Sequence, residues 1–181
     1  MLDFQSKFRN KNHQRTQRNM NYTIRKIRKE DDAVIENIIR TCLIEFGAAR
    51  EGTAWADPDL GRFSEIYNTE GNRYWVAEDE RGKVVGGVGI GALKGAEGIC
   101  ELQKMYCLPE ARGTGVAREL MDEALKYAER FYGQCYLETL DNMTAAQKFY
   151  ESCGFRRHHL VKNFFIDHYD HPIYECGVPL T

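Results

Sequence analysis

The sequence predicts a single α/β domain, and three observations carry that expectation. Strand-like runs at residues 22–27, 74–78, 83–90, 99–108 and 134–140 are separated by segments with the apolar period of helices. Two of these runs meet across the turn-forming residues 79–82, which is a hairpin signal. Residues 101–117 read as a strand, a short glycine-containing turn and a helix start, an order typical of α/β domains.

Taken in order, residues 1–20 are polar and basic, and are expected to be a disordered extension to a domain spanning 21–181. Met20 stands just ahead of the first strand, so the tail is read as dispensable. Glu30, Asp31 and Asp32 suit the positive end of a helix dipole. Val34, Ile35, Ile38, Ile39, Cys42, Leu43 and Phe46 give that helix its apolar face, and Gly47 ends it. Residues 48–60 show no period and read as a loop of the kind that builds specificity. Leu60, Phe63, Ile66 and Tyr67 suggest a short second helix before the hairpin. Gly86, Gly87 and Gly89 weaken the hairpin's second strand and predict a bulge or a close backbone approach. The strand at 99–108 closes at Pro109, and the helix at 113–131 buries Val116, Leu120, Ala124, Leu125 and Ala128. A strand at 134–140 and a helix at 144–152, stopped by Gly154, lead to a closing pair of strands at 164–169 and 173–178.

Composition narrows the class. With 43% hydrophobic residues in 181 positions, there is apolar material for one core. A formal net charge of −2 creates no global field toward nucleic acid or a membrane. The basic tail is therefore weighed as a solvated extension ahead of a nucleic-acid-binding arm. The apolar stretches are too short to span a bilayer and no secretory h-region heads the chain, so a soluble cytoplasmic protein is expected. Cys42, Cys100, Cys107, Cys135, Cys153 and Cys176 form no Cys-x-x-Cys pair and are expected to be free thiols. His158, His159, His168 and His171 lie in a polar segment and are read as surface or hydrogen-bonded groups, so no metal is expected.

The chemistry concentrates around residues 101–117. The first amides of a helix lack internal partners and sit at the positive end of its dipole, so they attract an anion. Gly113 and Gly115 remove the Cβ atoms that would hold a phosphate away, and Arg112 can add charge. The chain has no Gly-x-x-x-x-Gly-Lys-Ser/Thr, and Arg118 stands where a dinucleotide loop needs its third glycine. From these residues alone, another kind of phosphate loop stays open.

Two motifs together carry a resemblance. Arg112, Gly115 and Ala117 match the pattern Arg/Gln-x-x-Gly-x-Gly/Ala. Ala146, Phe149, Tyr150, Gly154 and Phe155 match Ala-x-x-Phe-Tyr-x-x-x-Gly-Phe. With a strand at 135–139 between them, the sequence resembles the GNAT family of N-acetyltransferases over roughly residues 22–178. The resemblance implies a mixed, mostly antiparallel sheet of about six or seven strands with splayed central strands, flanked by about four helices. It also implies acetyl-CoA as acyl donor. Backbone groups of Met105, Tyr106 and Cys107 would pair with the pantetheine arm, and amides of Gly113, Thr114, Gly115, Val116, Ala117 and Arg118 would hold the pyrophosphate. One detail departs: Asn142 lies eight positions before Tyr150, whereas many members place an Asn seven before.

Acyl transfer to an amine needs a neutral amine, an oxyanion donor and a proton for the departing thiolate. The resemblance assigns the proton to Tyr150 and offers Glu101, ranked ahead of Glu138, as the base. The oxyanion donor is expected to be the backbone amide of Cys107 or Leu108. A Cys107 acyl-enzyme is a rival, but it lacks a recognisable His-Asn/Asp pair. Substrate contacts are assigned to Glu51, Trp55, Asp57 and Tyr74, with His168 and His171 nearby. The function expected is acetyl transfer to a primary amine of a small molecule. A protein amino group is the next reading, and a non-catalytic acyl-CoA sensor the third. A monomer and a homodimer both stay open.

Overall fold

The computed structural model describes residues 21–140, 142–157 and 173–180. The basic extension, the expected strand at 164–169 and all five histidines lie outside the described residues. In chain order the elements are β1 (Thr23–Lys26), α1 (Asp32–Glu45), α2 (Phe63–Ile66), β2 (Arg73–Glu78), β3 (Val84–Ala92), β4 (Ile99–Cys107) and α3 (Val116–Ala128). They continue with β5 (Gln134–Leu140), α4 (Thr144–Ser152), β6 (Arg156–Arg157) and β7 (Ile173–Pro179). Among the described residues they form one sheet in the order β1-β2-β3-β4-β5-β7-β6. Every pairing is antiparallel except β4 with β5. The two-residue strand β6 was not foreseen, because so short a segment carries no period.

Two apolar clusters flank the sheet. Val116, Leu120, Met121, Ala124 and Ala128 of α3 pack on Trp75, Val88 and Ile90, with Tyr150 and Phe155 closing the same layer. On the opposite face, Ile35, Ile38, Ile39 and Cys42 of α1 meet Phe63, Tyr67, Tyr74 and Val76. The acidic start of α1 does more than answer a dipole. Asp31 is buried and accepts two bonds from the Arg25 guanidinium, at 2.6 and 2.9 Å, and one from the Arg28 amide. Asp32 accepts from both the amide and the hydroxyl of Ser64, tying α1 to α2. Among the described residues, no helix is long and apolar enough to cross a membrane.

The glycines of β3 admit aromatic rings. A Cβ at Gly87 would lie 2.5 Å from the Tyr74 ring, and one at Gly89 would lie 2.9 Å from that of Tyr67. The expected irregularity is present too. Gly87 pairs with Tyr106 and Gly89 with Gln103, so Lys104 and Met105 together face Val88 as a bulge. Lys104 there takes a φ of 51°, the left-handed region that side-chain-bearing residues seldom enter.

This bulge sits where the sheet forks. β4 and β5 pair only at Ile99↔Gln134, Cys100↔Cys135 and Glu101↔Tyr136. Beyond Glu101, β4 stays with β3 while β5 continues along β7 to Leu140. The facing edges of the two central strands therefore separate.

Candidate active site

The fork opens into a cavity of about 450 Å³. One wall is β4 from Glu101 to Tyr106, and the other is Glu138, Thr139 and Leu140 of β5. Tyr150 of α4 and Asp57, Asp59 and Phe63 complete the lining.

The edge of β4 supplies backbone donors. Leu108 donates its amide to the Val85 carbonyl at 2.8 Å. Antiparallel ladders alternate the direction of successive amides, so the neighbouring Cys107 amide points away from β3. Of the two candidate oxyanion donors, Leu108 is thus committed to the sheet, while the Cys107 amide points to the side of β4 away from β3.

After β4, a turn of 3₁₀ helix at Pro109–Ala111 leads into the glycine turn. Gly113 and Gly115 take φ of 73° and 100°, and Gly115 caps α3. Thr114 Oγ1 donates to the Ala111 carbonyl at 2.6 Å and fixes the turn. A Cβ built on either glycine would meet nothing within 4 Å, so the space above the turn is open. Among the described residues, no acceptor is found for the amides of Gly113, Thr114, Gly115, Val116 and Ala117. The Arg118 amide, by contrast, is bound to the Gly115 carbonyl at 2.9 Å. The turn therefore meets the physical demand of a diphosphate: converging unpaired N–H groups at the positive end of a helix.

The flanking arginines are engaged elsewhere. Arg112 forms a bidentate pair with Glu45 at 2.7 and 2.8 Å, donates Nε to the Cys107 carbonyl and lies over the Phe46 ring. Its guanidinium locks the end of α1 to the turn, whereas the sequence suggested charge for the phosphate. Arg118 reaches Ser152 at the end of α4.

Carboxylates gather in the cavity lining. Glu101 is pushed above the ordinary carboxylate range by burial, a rise opposed by a bond from Gln103 and by the charge of Lys104. Gln103 Nε2 donates to Glu101 Oε2 at 2.6 Å, and Tyr67 Oη donates to Gln103 Oε1 at 2.8 Å. Glu138 accepts from Tyr136 Oη at 2.7 Å. Lys104 pairs with Asp57 at 2.7 Å, and its carbonyl accepts from Tyr74 Oη, so the bulge is held from two sides. Burial would raise Asp57, but Lys104 and the Asp59 amide outweigh it and hold the carboxyl low.

The site residues expected from sequence divide accordingly. Glu101, Met105, Tyr106, Glu138, Asp57 and Tyr150 all line the cavity. Tyr74 does not: it is 1% exposed, its ring tilted against those of Phe63 and Tyr67, and its hydroxyl holds the Lys104 carbonyl of the bulge. Trp55 lies under the Arg40 guanidinium, while Glu51 and Asn142 are exposed and outside the cavity wall. Cys107 is also off that wall, and burial pushes its thiol up to about 12. A ready thiolate nucleophile is thereby disfavoured. Sequence reasoning missed Tyr67, Gln103, Lys104 and Asp59. Only the helical spacing of Phe63 and Tyr67 had hinted at one of them.

Comparison with known proteins identifies the class. Residues 70–157 match the family described as acetyltransferase (GNAT) domain. YjgM of Escherichia coli K12, described as an uncharacterised N-acetyltransferase, is 43% identical over 135 residues, covering 73% of this chain and 80% of that protein. The spermidine N(1)-acetyltransferase of Vibrio cholerae is 32% identical over 110 residues, covering 57% of this chain and 63% of the relative. In fold, the chain superposes on a GNAT-family acetyltransferase from Staphylococcus aureus Mu50 with a TM-score of 0.75 at 21% identity, covering 89% of this chain and all of the other. The chain belongs to the GNAT family and is an N-acetyltransferase. The sheet, its fork and the flanking helices are those the family resemblance implied.

Proposed function

We propose that this enzyme transfers an acetyl group from acetyl-CoA directly to the primary amine of a small cationic molecule. The observation that carries the reading is the fork between β4 and β5, lined by carboxylates, with the unpaired amides of the glycine turn following the end of β4. The site fits coenzyme A in kind. The turn at Gly113–Ala117 offers N–H groups for the diphosphate, and the edge of β4 at Met105–Cys107 that β5 leaves uncovered offers ladder groups for the amide-bearing arm, the Cys107 carbonyl also holding Arg112. Bound acetyl-CoA supplies a thioester carbonyl as the acyl donor.

The chain's own groups then divide the work. Glu101 accepts a proton from the acceptor ammonium, freeing the nitrogen lone pair. The Cys107 amide donates to the carbonyl oxygen as the N–C bond forms and negative charge grows there. Tyr150 gives its phenolic proton to the sulfur as the C–S bond breaks, and the phenolate regains a proton as the acylated nitrogen loses its second one to become a neutral amide; Glu101 returns its own proton to water. Glu138, two residues beyond the Tyr136 that pairs with Glu101, adds a second carboxylate to the cavity lining and favours a cation there.

A cavity of about 450 Å³ between two strands has room for a small acceptor. Among the described lining residues, Asp57, Asp59, Glu101 and Glu138 against the one cation Lys104 favour a positively charged acceptor. The kinship to a spermidine acetyltransferase supports the same direction. The test follows free thiol release from acetyl-CoA with a panel of mono- and diamines. Tyr150→Phe should lower kcat by about 100-fold or more while calorimetry finds unchanged coenzyme A affinity. Equal turnover would remove Tyr150 from the mechanism.

A further inference from the structure

Two cavity residues outside the reaction scheme form a chain behind the proposed base. Tyr67 Oη donates to Gln103 Oε1 at 2.8 Å, and Gln103 Nε2 donates to Glu101 Oε2 at 2.6 Å. Glu101 and Gln103 are two apart on β4 and share one face of the strand. Space for this chain is cut into β3. Gly89 pairs with Gln103, and a Cβ there would stand 2.9 Å from the Tyr67 ring; Gly91 pairs with Glu101, and a Cβ there would stand 3.0 Å from Gln103 Oε1. Tyr67 itself is fixed by rings on two sides, with Phe63 and Tyr74 centroids each 5.3 Å away.

A glutamine amide has one donor end and one acceptor end, and only the donor end suits a carboxylate. Tyr67 decides which end Glu101 meets. Its phenol stays protonated, because burial first and then the charges of Glu101, Asp57 and Asp59 oppose ionisation. By occupying the amide oxygen, it turns the NH₂ group toward Glu101. The geometry points to Tyr67 and Gln103 as positioning residues of the reaction: together they hold Glu101 as an oriented carboxylate, ready to take the acceptor's proton. This inference rests on Glu101 as the base.

Other charges around Glu101 set the background. Lys104 lies on its own strand, Glu138 and the phenol of Tyr136 come from β5, and Asp57 and Asp59 come from the loop before α2. Gly91 on β3 contributes none. Losing the Gln103 N–H therefore removes one of the two stabilisers of the carboxylate form, leaving Lys104. With less stabilisation the carboxyl holds its proton to higher pH, and the acid limb of the rate profile moves upward.

The experiment compares wild type, Tyr67→Phe, Gln103→Met and the double variant. It reads kcat/KM against pH and the ¹³C-carboxyl titration of Glu101, assigned with Glu101→Gln. Gln103→Met should raise both midpoints by about one pH unit or more, since a hydrogen bond to a charged group is being removed. Tyr67→Phe should raise them less, and the double variant no more than Gln103→Met alone, because the two act in series. Coenzyme A affinity should not change. An unmoved Glu101 titration in both single variants, or additive shifts in the double, would overturn the inference. Failure of the underlying reading looks different: Glu101→Gln would keep full turnover, while the carboxyl titration still judged the chain.

Discussion

Replacing Gly115 with alanine separates the two jobs of the glycine turn. Its φ of 100° is one that an L residue with a Cβ seldom adopts, and the site holds open space rather than neighbours. Any loss of stability in the free enzyme is therefore conformational, of about 1–2 kcal/mol. For a domain of this length that corresponds to a fall in Tm of roughly 2–8 °C. Asparagine tolerates the left-handed region better, so Gly115→Asn should recover much of that fall. Affinity should behave differently. In both variants a Cβ projects into the space assigned to the diphosphate, and losing even one amide-to-phosphate bond costs about 1.5–3 kcal/mol, a weakening of roughly 10- to 100-fold. Differential scanning calorimetry of the free enzyme and titration with coenzyme A read the two effects separately. A Gly115→Ala enzyme that melts with wild type would refute the strain argument. A Gly115→Asn enzyme that binds coenzyme A with full affinity would place the diphosphate somewhere other than this turn.

Two further outcomes are expected. Cys107→Ser should keep turnover within a few-fold, and intact-protein mass spectrometry of wild type with acetyl-CoA alone should show no acetylated enzyme; a stable adduct lost in the variant would restore the acyl-enzyme route. Acidification should weaken the fold through Asp31: burial alone would raise this carboxyl, but its bonds from Arg25 and the Arg28 amide outweigh burial and hold it low. A depressed folded value stabilises the fold above the ordinary carboxylate range of about pH 4 and loses that contribution as pH falls through it. Urea unfolding of Arg25→Met should show a loss toward the lower end of about 3–5 kcal/mol at neutral pH, with a flatter dependence on acid; an unchanged pH slope would show that Asp31 does not carry the effect.

Contiguity decided what the sequence could disclose. The glycine turn and the motif around Tyr150 each lie within about ten residues, so their chemistry is written in one short segment, and Tyr150 lines the cavity. The same held for α1 and α3, whose apolar faces repeat through several turns. The acceptor end is different in kind. Asp57 comes from a loop, Tyr67 from the end of α2, Gln103 and Lys104 from β4 and Glu138 from β5. Only the pairing register and the bulge bring them together; the glycines of β3 announced an irregularity, but not which residues it would bring together. Gly89 shows the difficulty most clearly. In sequence it weakens a strand; in the fold it is the gap through which Tyr67 reaches Gln103. Arg112 shows the converse, because its motif position implied a ligand contact while its guanidinium found Glu45, far away in sequence. A motif fixes where the backbone goes, and the long side chains upon it are claimed by whichever neighbours the tertiary fold delivers.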